Sequence, residues 1–125
     1  MSRYLLDTSA IIHGEWPTGD SAISVMTLGE LRSGMFTAND PVTRSERGRK
    51  FVTTYKTFVA HEVDARIAER YGEIQAFARL ENRVKNKADL LIIATAADLG
   101  LTLFTRDAKQ GKLAEDLGLV VEYAT

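Results

Sequence analysis

The sequence predicts a single α/β domain with a central, mostly parallel sheet and helices on both faces. Its length of 125 residues suits one domain, which we expect to span residues 1–125. Its composition, 45% hydrophobic and 26% charged, is close to the globular average. Short apolar runs alternate with segments of helical periodicity, and parallel strands need such crossover connections.

The predicted strands are short apolar runs bounded by polar residues. Runs of this kind are typical of strands buried in a parallel sheet. They occupy residues 3–7, 21–25, 59–63, 101–105 and 119–123.

The predicted helices carry apolar residues at three- and four-residue spacing. Thr27 and Glu30 have the spacing of a capping box, and Gly34 is a candidate end for that first helix. Asp89 is expected to begin the most apolar helix of the chain, which Gly100 ends. The helices are predicted within residues 27–34, 43–58, 64–80, 90–99 and 108–117.

Several classes of protein are disfavoured by composition. Cysteine is absent, so the chain has neither a disulfide framework nor thiolate metal ligands, and two histidines disfavour a zinc site. No apolar run reaches membrane-spanning length, and the N-terminal leucines meet Asp7 too early for a signal-peptide core. We therefore expect a cytoplasmic protein with no membrane partner.

The formal net charge of −1 is lower than nucleic-acid binders usually carry. This observation counts against a nucleic-acid substrate. It loses weight if several acids form a cluster that binds divalent cations, because the loaded protein is then more positive.

Four acidic residues fall where such a cluster can form. Asp7 and Asp107 follow predicted strands, and Glu30 and Asp89 lie near the starts of predicted helices. In a crossover, helices begin at the edge where strands end, which is also where ligands of open parallel sheets bind. All four carboxylates can therefore meet at one edge.

Clustered carboxylates call for a cation. Two of them about 5 Å apart repel by roughly 3 kcal/mol at an effective dielectric of about 20. Mg²⁺ and Mn²⁺ prefer oxygen ligands and support phosphodiester hydrolysis by activating water. The alternative is that each acid only caps a helix, since Asp is a favoured N-cap. Capping does not require acids after both strands, so the full set favours a metal site.

The four acids lie in four short segments, residues 4–10, 27–31, 88–96 and 103–107. In this order, the segments resemble the acidic motifs of PIN-domain nucleases. The resemblance is greatest to the VapC toxins of type II toxin–antitoxin systems. It implies an Mg²⁺- or Mn²⁺-dependent endoribonuclease that acts on RNA with a metal-activated water, forms a homodimer and is neutralised by a VapB-type antitoxin covering the active site.

The resemblance also implies roles for individual residues. Asp7 and Asp89 match the most direct metal ligands, Glu30 matches an acid at or behind the metal, and Asp107 matches the fourth acid. All four are expected to be catalytic and to take part in binding the metal. Thr105 matches a supporting hydroxyl residue that is frequent beside that acid.

Basic residues flank the last acid, and we expect Arg106 and Lys109 to bind RNA phosphates. Two alternatives stay open. One is a PIN nuclease of RNA processing that is not a toxin. The other, less favoured, is a phosphoacceptor receiver domain, which would have a second acid beside Asp7, where Thr8 stands instead.

Overall fold

The sheet has five strands, all parallel, with the first strand of the chain at its centre. A computed structural model describes residues 2–83 and 85–125, and gives the strand order β3-β2-β1-β4-β5. The predicted parallel sheet is confirmed. The strands are β1 (Tyr4–Leu6), β2 (Ser21–Ser24), β3 (Val59–His61), β4 (Thr102–Thr105) and β5 (Val121–Tyr123).

Helices cover both faces of this sheet, as predicted. Alternate strand residues point to opposite faces, so Leu5 and Leu103 pack against α4, α5 and α6, whereas Leu6 and Phe104 pack with α1 and α2. The helices are α1 (Thr8–His13), α2 (Val25–Phe36), α3 (Pro41–Thr57), α4 (Ala65–Leu80), α5 (Lys87–Leu99) and α6 (Ala108–Asp116).

Helix α5 is the most deeply buried helix, as its composition predicts. Ile92, Ile93, Ala94 and Ala96 are fully inaccessible to solvent. Gly100 ends the helix in the left-handed conformation (φ 67°), which glycine adopts without strain. None of the described helices is both long and apolar enough to cross a lipid bilayer.

The prediction that Thr27 and Glu30 form a capping box is wrong. Strand β2 runs directly into α2, and the Ser24 hydroxyl caps the helix by accepting a hydrogen bond from the Met26 amide at 3.1 Å. Thr27 is therefore inside the first turn and fully buried. Gly34 does not end the helix either, because α2 continues to Phe36.

The start of α5 also differs from the prediction. Asn86, not Asp89, caps this helix, since the Asn86 side chain accepts a hydrogen bond from the Asp89 amide at 2.8 Å. Helix α1 was not predicted, because six residues are too few to show helical periodicity. Of the four acids, Asp7 and Asp107 are N-caps, whereas Glu30 and Asp89 are not.

Candidate active site

The four acids lie at the carboxyl edge of the sheet. Asp7 follows β1 and Asp107 lies two residues beyond the end of β4, and these strands are neighbours in the sheet. Glu30 is on α2 and Asp89 in the first turn of α5. The negative charges of Glu30, Asp107 and Asp7 all act on Asp89 and raise its pKa, so the four side chains share one electrostatic environment.

Asp7 is buried and held by three hydrogen bonds. Its Oδ1 atom accepts one from the Ser9 hydroxyl at 2.5 Å and one from the Ala10 amide at 3.1 Å. Its Oδ2 atom accepts the hydroxyl of Thr105, a residue that is itself fully buried. The supporting hydroxyl predicted at Thr105 therefore has a direct structural partner, and the Asp7 carboxylate has a fixed orientation.

Glu30 is positioned by two threonine hydroxyls in series. Thr8 donates to Glu30 Oε1 at 2.5 Å, and the hydroxyl oxygens of Thr8 and Thr27 are 3.1 Å apart. A threonine has one hydroxyl hydrogen. Since Thr8 directs its hydrogen to Glu30, Thr27 is the donor to Thr8. The buried Thr27 thus orients a carboxylate on its own helix through a residue of α1.

The negative charge of Asp107 is compensated by backbone amides and by a lysine. Its Oδ1 atom accepts hydrogen bonds from the amides of Lys109 (3.0 Å) and Gln110 (3.1 Å), and Lys85 Nζ lies 3.5 Å from its Oδ2 atom. Partial burial raises the pKa of Asp107, but the two amides and the charge of Lys85 outweigh burial and hold that pKa below its ordinary value. Asp107 is therefore stable in its ionised form.

Of the four acids, Asp89 is the one whose negative charge is least compensated by its surroundings. The described residues donate no hydrogen bond to its carboxylate, although its backbone carbonyl accepts one from Gln110 Nε2 at 2.9 Å. Burial is the largest cause of its raised pKa, the other three acids add to it, and Lys85 only partly opposes them. A bound cation would stabilise the ionised form of this carboxylate.

The chemistry of the donor atoms fits a metal ion, but the side chains would have to rearrange to hold one. Among residues 2–83 and 85–125, no three acidic, histidine or cysteine side chains are arranged to hold one ion. The side chains that could ligate an ion here offer carboxylate and hydroxyl oxygens, and the described site has no histidine or cysteine ligand. The Lys85 nitrogen is itself a cation and so is not a ligand. Such donors suit a hard divalent cation. Asp89 has the unpaired oxygens that such an ion would neutralise.

Arg106 and Lys109 lie at the rim of this centre. Arg106 is exposed, its amide donates to the Ser9 hydroxyl at 3.0 Å, and its guanidinium contacts the imidazole of His13. Lys109 is exposed in the first turn of α6 and lines a cleft of about 460 Å³. Both are near enough to Asp107 in the chain to meet the same ligand, and no described acid forms an ion pair with either.

Several residues of the centre were not singled out from the sequence. Ser9 and Thr8 had no assigned role, although the hydroxyl pair directly after Asp7 is a visible signal, and Thr27 was expected only to cap its helix. Lys85 was not predicted to contact an acid. Its contact with Asp107, 22 residues away, has no sequence spacing that could reveal it.

The comparisons with known proteins agree with this geometry. The PIN domain family model matches residues 4–116. The chain therefore belongs to the PIN-domain family, whose members are nucleases. Among curated proteins the chain has no significant match. The receiver-domain alternative fails on topology as well, because that fold places β1 between β2 and β3, whereas here β1 lies between β2 and β4.

Solved structures with the same fold cover nearly the whole chain. VapBC-5 from Mycobacterium tuberculosis, a member of the VapBC family of toxin–antitoxin systems, is 27% identical with a TM-score of 0.82, and 98% of each chain is covered. DNA-bound VapBC from Salmonella typhimurium is 19% identical with a TM-score of 0.81, again covering 98% of each chain. FitAcB from Neisseria gonorrhoeae is 24% identical with a TM-score of 0.76, covering 94% of this chain and 95% of the other. The last two comparisons establish the fold alone.

Proposed function

We propose that this chain is a metal-dependent endoribonuclease and the toxin of a type II toxin–antitoxin system. The observation that carries the proposal is Asp89, a half-buried carboxylate without a described hydrogen-bond donor, under the negative charge of three other acids. Membership of a nuclease family and the likeness to VapBC-5 support it.

In this proposal Asp7, Glu30 and Asp89 hold Mg²⁺ or Mn²⁺, and Asp107 is the fourth acid. The ion supplies Lewis acidity towards water and the RNA phosphate. Ser9 and Thr105 keep the Asp7 carboxylate in one orientation, and Thr8 does the same for Glu30. No side-chain nucleophile is needed, because the attacking group is water.

Arg106 and Lys109, which flank Asp107 in the sequence, bind phosphates of the substrate beside the acids. Their charge attracts RNA to a chain whose net charge is slightly negative. No described acid neutralises the Lys109 ammonium or the Arg106 guanidinium, so each keeps its positive charge for phosphate oxygens, although Arg106 also contacts His13.

The test is cleavage of single-stranded RNA by the purified chain. Cleavage is expected with Mg²⁺ or Mn²⁺, lost with EDTA and lost in Asp89→Asn. The matched control is Asp40→Asn, because Asp40 is an exposed N-cap of α3 and asparagine caps about as well. Intact RNA under both ions, or equal cleavage by Asp89→Asn and the wild type, contradicts the proposal.

The assembly and the partner are also part of the proposal. We expect a cytoplasmic homodimer, because two-fold dimers are the commonest closed symmetry. We also expect it to bind a VapB-type antitoxin that covers the acidic centre. Light scattering measures the oligomeric state. Growth arrest on expression, relieved by a small neighbouring gene, identifies the antitoxin. RNA cleavage without growth arrest would instead indicate a PIN nuclease of RNA processing.

A further inference from the structure

Lys85 places a buried positive charge inside the acidic centre. It lies in the connection between α4 and α5, its side chain is only 11% exposed, and its Nζ atom is 3.5 Å from Asp107 Oδ2. A buried ammonium is costly unless an opposite charge compensates it. The loop therefore holds Lys85 against the acids, not in solvent.

Two of the three other cations of the same cleft have a partner elsewhere, and Lys109 forms no ion pair with a described acid. Arg83 and Lys112 both bind Asp116, Lys112 at 3.0 Å. Of the described residues, Lys85 is the one whose side chain forms an ion pair with one of the four acids. Its charge also reaches Asp89, where it opposes the effect of burial on the pKa of that carboxyl group.

We propose that the Lys85 ammonium takes the place of a second divalent ion, so that the centre binds one metal and not two. This inference rests on the proposed function. Four carboxylates carry enough negative charge for two divalent ions, but Lys85 already occupies Oδ2 of Asp107, and its positive charge repels a dication at that position. The single ion then lies on the side of Asp7, Glu30 and Asp89. Lys85 is a positioning residue that acts through Asp107.

The test is the number of Mn²⁺ ions bound by the intact chain, measured by titration calorimetry and by loss of the electron paramagnetic resonance signal of free Mn²⁺. The wild type is expected to bind one ion. Lys85→Met keeps the length of the side chain and removes its charge, so the number is expected to rise to two. Lys85→Arg keeps the charge and is expected to bind one.

The matched control is Lys112→Met, which removes the same charge from the same cleft at a residue that binds Asp116. It is expected to bind one ion. The double variant Lys85→Met/Asp107→Asn also lacks the Asp107 carboxylate, which would be a ligand of the second ion. It is therefore expected to bind one Mn²⁺ ion, as the wild type does. Circular dichroism checks that each variant is folded, and Lys85→Gln replaces Lys85→Met if the latter is not.

The outcomes separate this inference from the proposed function. One ion in both the wild type and Lys85→Met, or two ions in the wild type, overturns the role of Lys85 and leaves the nuclease proposal standing. No ion bound by the wild type near neutral pH overturns the metal centre itself, and the role of Lys85 with it.

Discussion

Thr105 donates its hydroxyl hydrogen bond to Asp7, a residue 98 positions earlier in the chain. The two residues lie at the ends of adjacent strands, since Leu6 of β1 pairs with Phe104 of β4. Both are buried, so water does not replace this hydrogen bond if it is lost. The orientation of the Asp7 carboxylate therefore depends on the register between two strands.

Replacement of Thr105 by valine is expected to destabilise the protein by about 1–3 kcal/mol, the usual cost of leaving a buried acceptor without its donor. Thr105→Ser keeps the hydroxyl and is expected to lose less stability. Urea unfolding of both variants measures the difference. If valine and serine give equal unfolding free energies, the hydrogen bond is not the source of the effect.

Asp7→Asn and Asp89→Asn are expected to have opposite effects on stability without metal, although both abolish cleavage. Asp7 accepts three hydrogen bonds, which an amide cannot fully replace, so its variant is expected to lose roughly 1–2 kcal/mol. Asp89 has no such donors among the described residues. Its variant is therefore expected to gain up to about 1 kcal/mol, because a neutral side chain avoids the cost of burying a charge and the repulsion from the other acids, after allowance for solvent screening. Unfolding in EDTA measures both, and a destabilised Asp89→Asn would contradict this account.

The stability gained by Asp89→Asn without metal is expected to depend on pH. Because the folded state raises the pKa of Asp89, the ionised carboxylate destabilises the fold above that pKa, and protonation relieves the effect below it. The advantage of the asparagine variant is therefore present at neutral pH and disappears as the pH falls through the raised pKa. Unfolding free energies at a series of pH values, in EDTA, show whether the two curves converge.

Arg106→Ala and Lys109→Ala are each expected to weaken RNA binding for all sequences alike. Each loses one phosphate contact, so the slope of log affinity against log salt concentration should fall by about one unit. Ca²⁺ can replace Mg²⁺ in this titration if it does not support cleavage. Metal binding should stay intact. An unchanged slope in both variants would mean that the RNA path lies elsewhere.

Tyr123 is expected to ionise at a higher pH than an ordinary tyrosine. Its hydroxyl donates to Glu115 Oε1 at 2.6 Å, and this hydrogen bond, with burial and the charge of Glu115, raises the pKa of Tyr123 to about 12. The unfolded value is about 10, so the fold loses stability as the pH rises from about 10 to about 12. Absorbance titration of tyrosinate measures the pKa. Glu115→Gln should lower it, whereas Glu122→Gln should not.

The parallel sheet, and the edge of the sheet at which the acids lie, could be predicted from the sequence. Apolar runs separated by helices permit little but a parallel sheet, and such a sheet fixes the edge to which Asp7 and Asp107 belong. The starts of α2 and α5 were missed because two capping residues compete within three positions. Ser24 competes with Thr27, and Asn86 competes with Asp89.

The contacts between side chains could not be predicted in the same way. The position of Lys85 depends on the path of the connection between α4 and α5, which no periodicity describes. The hydrogen bonds from Thr27 through Thr8 to Glu30 depend on the packing of α1 against α2. Both are properties of the assembled structure.

The central position of β1 affects how the protein is made. During synthesis on the ribosome, β1 emerges early but has no partner on one side until β4 follows about a hundred residues later. Contacts between such distant residues slow folding. The carboxylates of Asp7 and Asp107 cannot come together before then. The nascent chain is therefore expected to lack the assembled acidic centre while most of it is being translated.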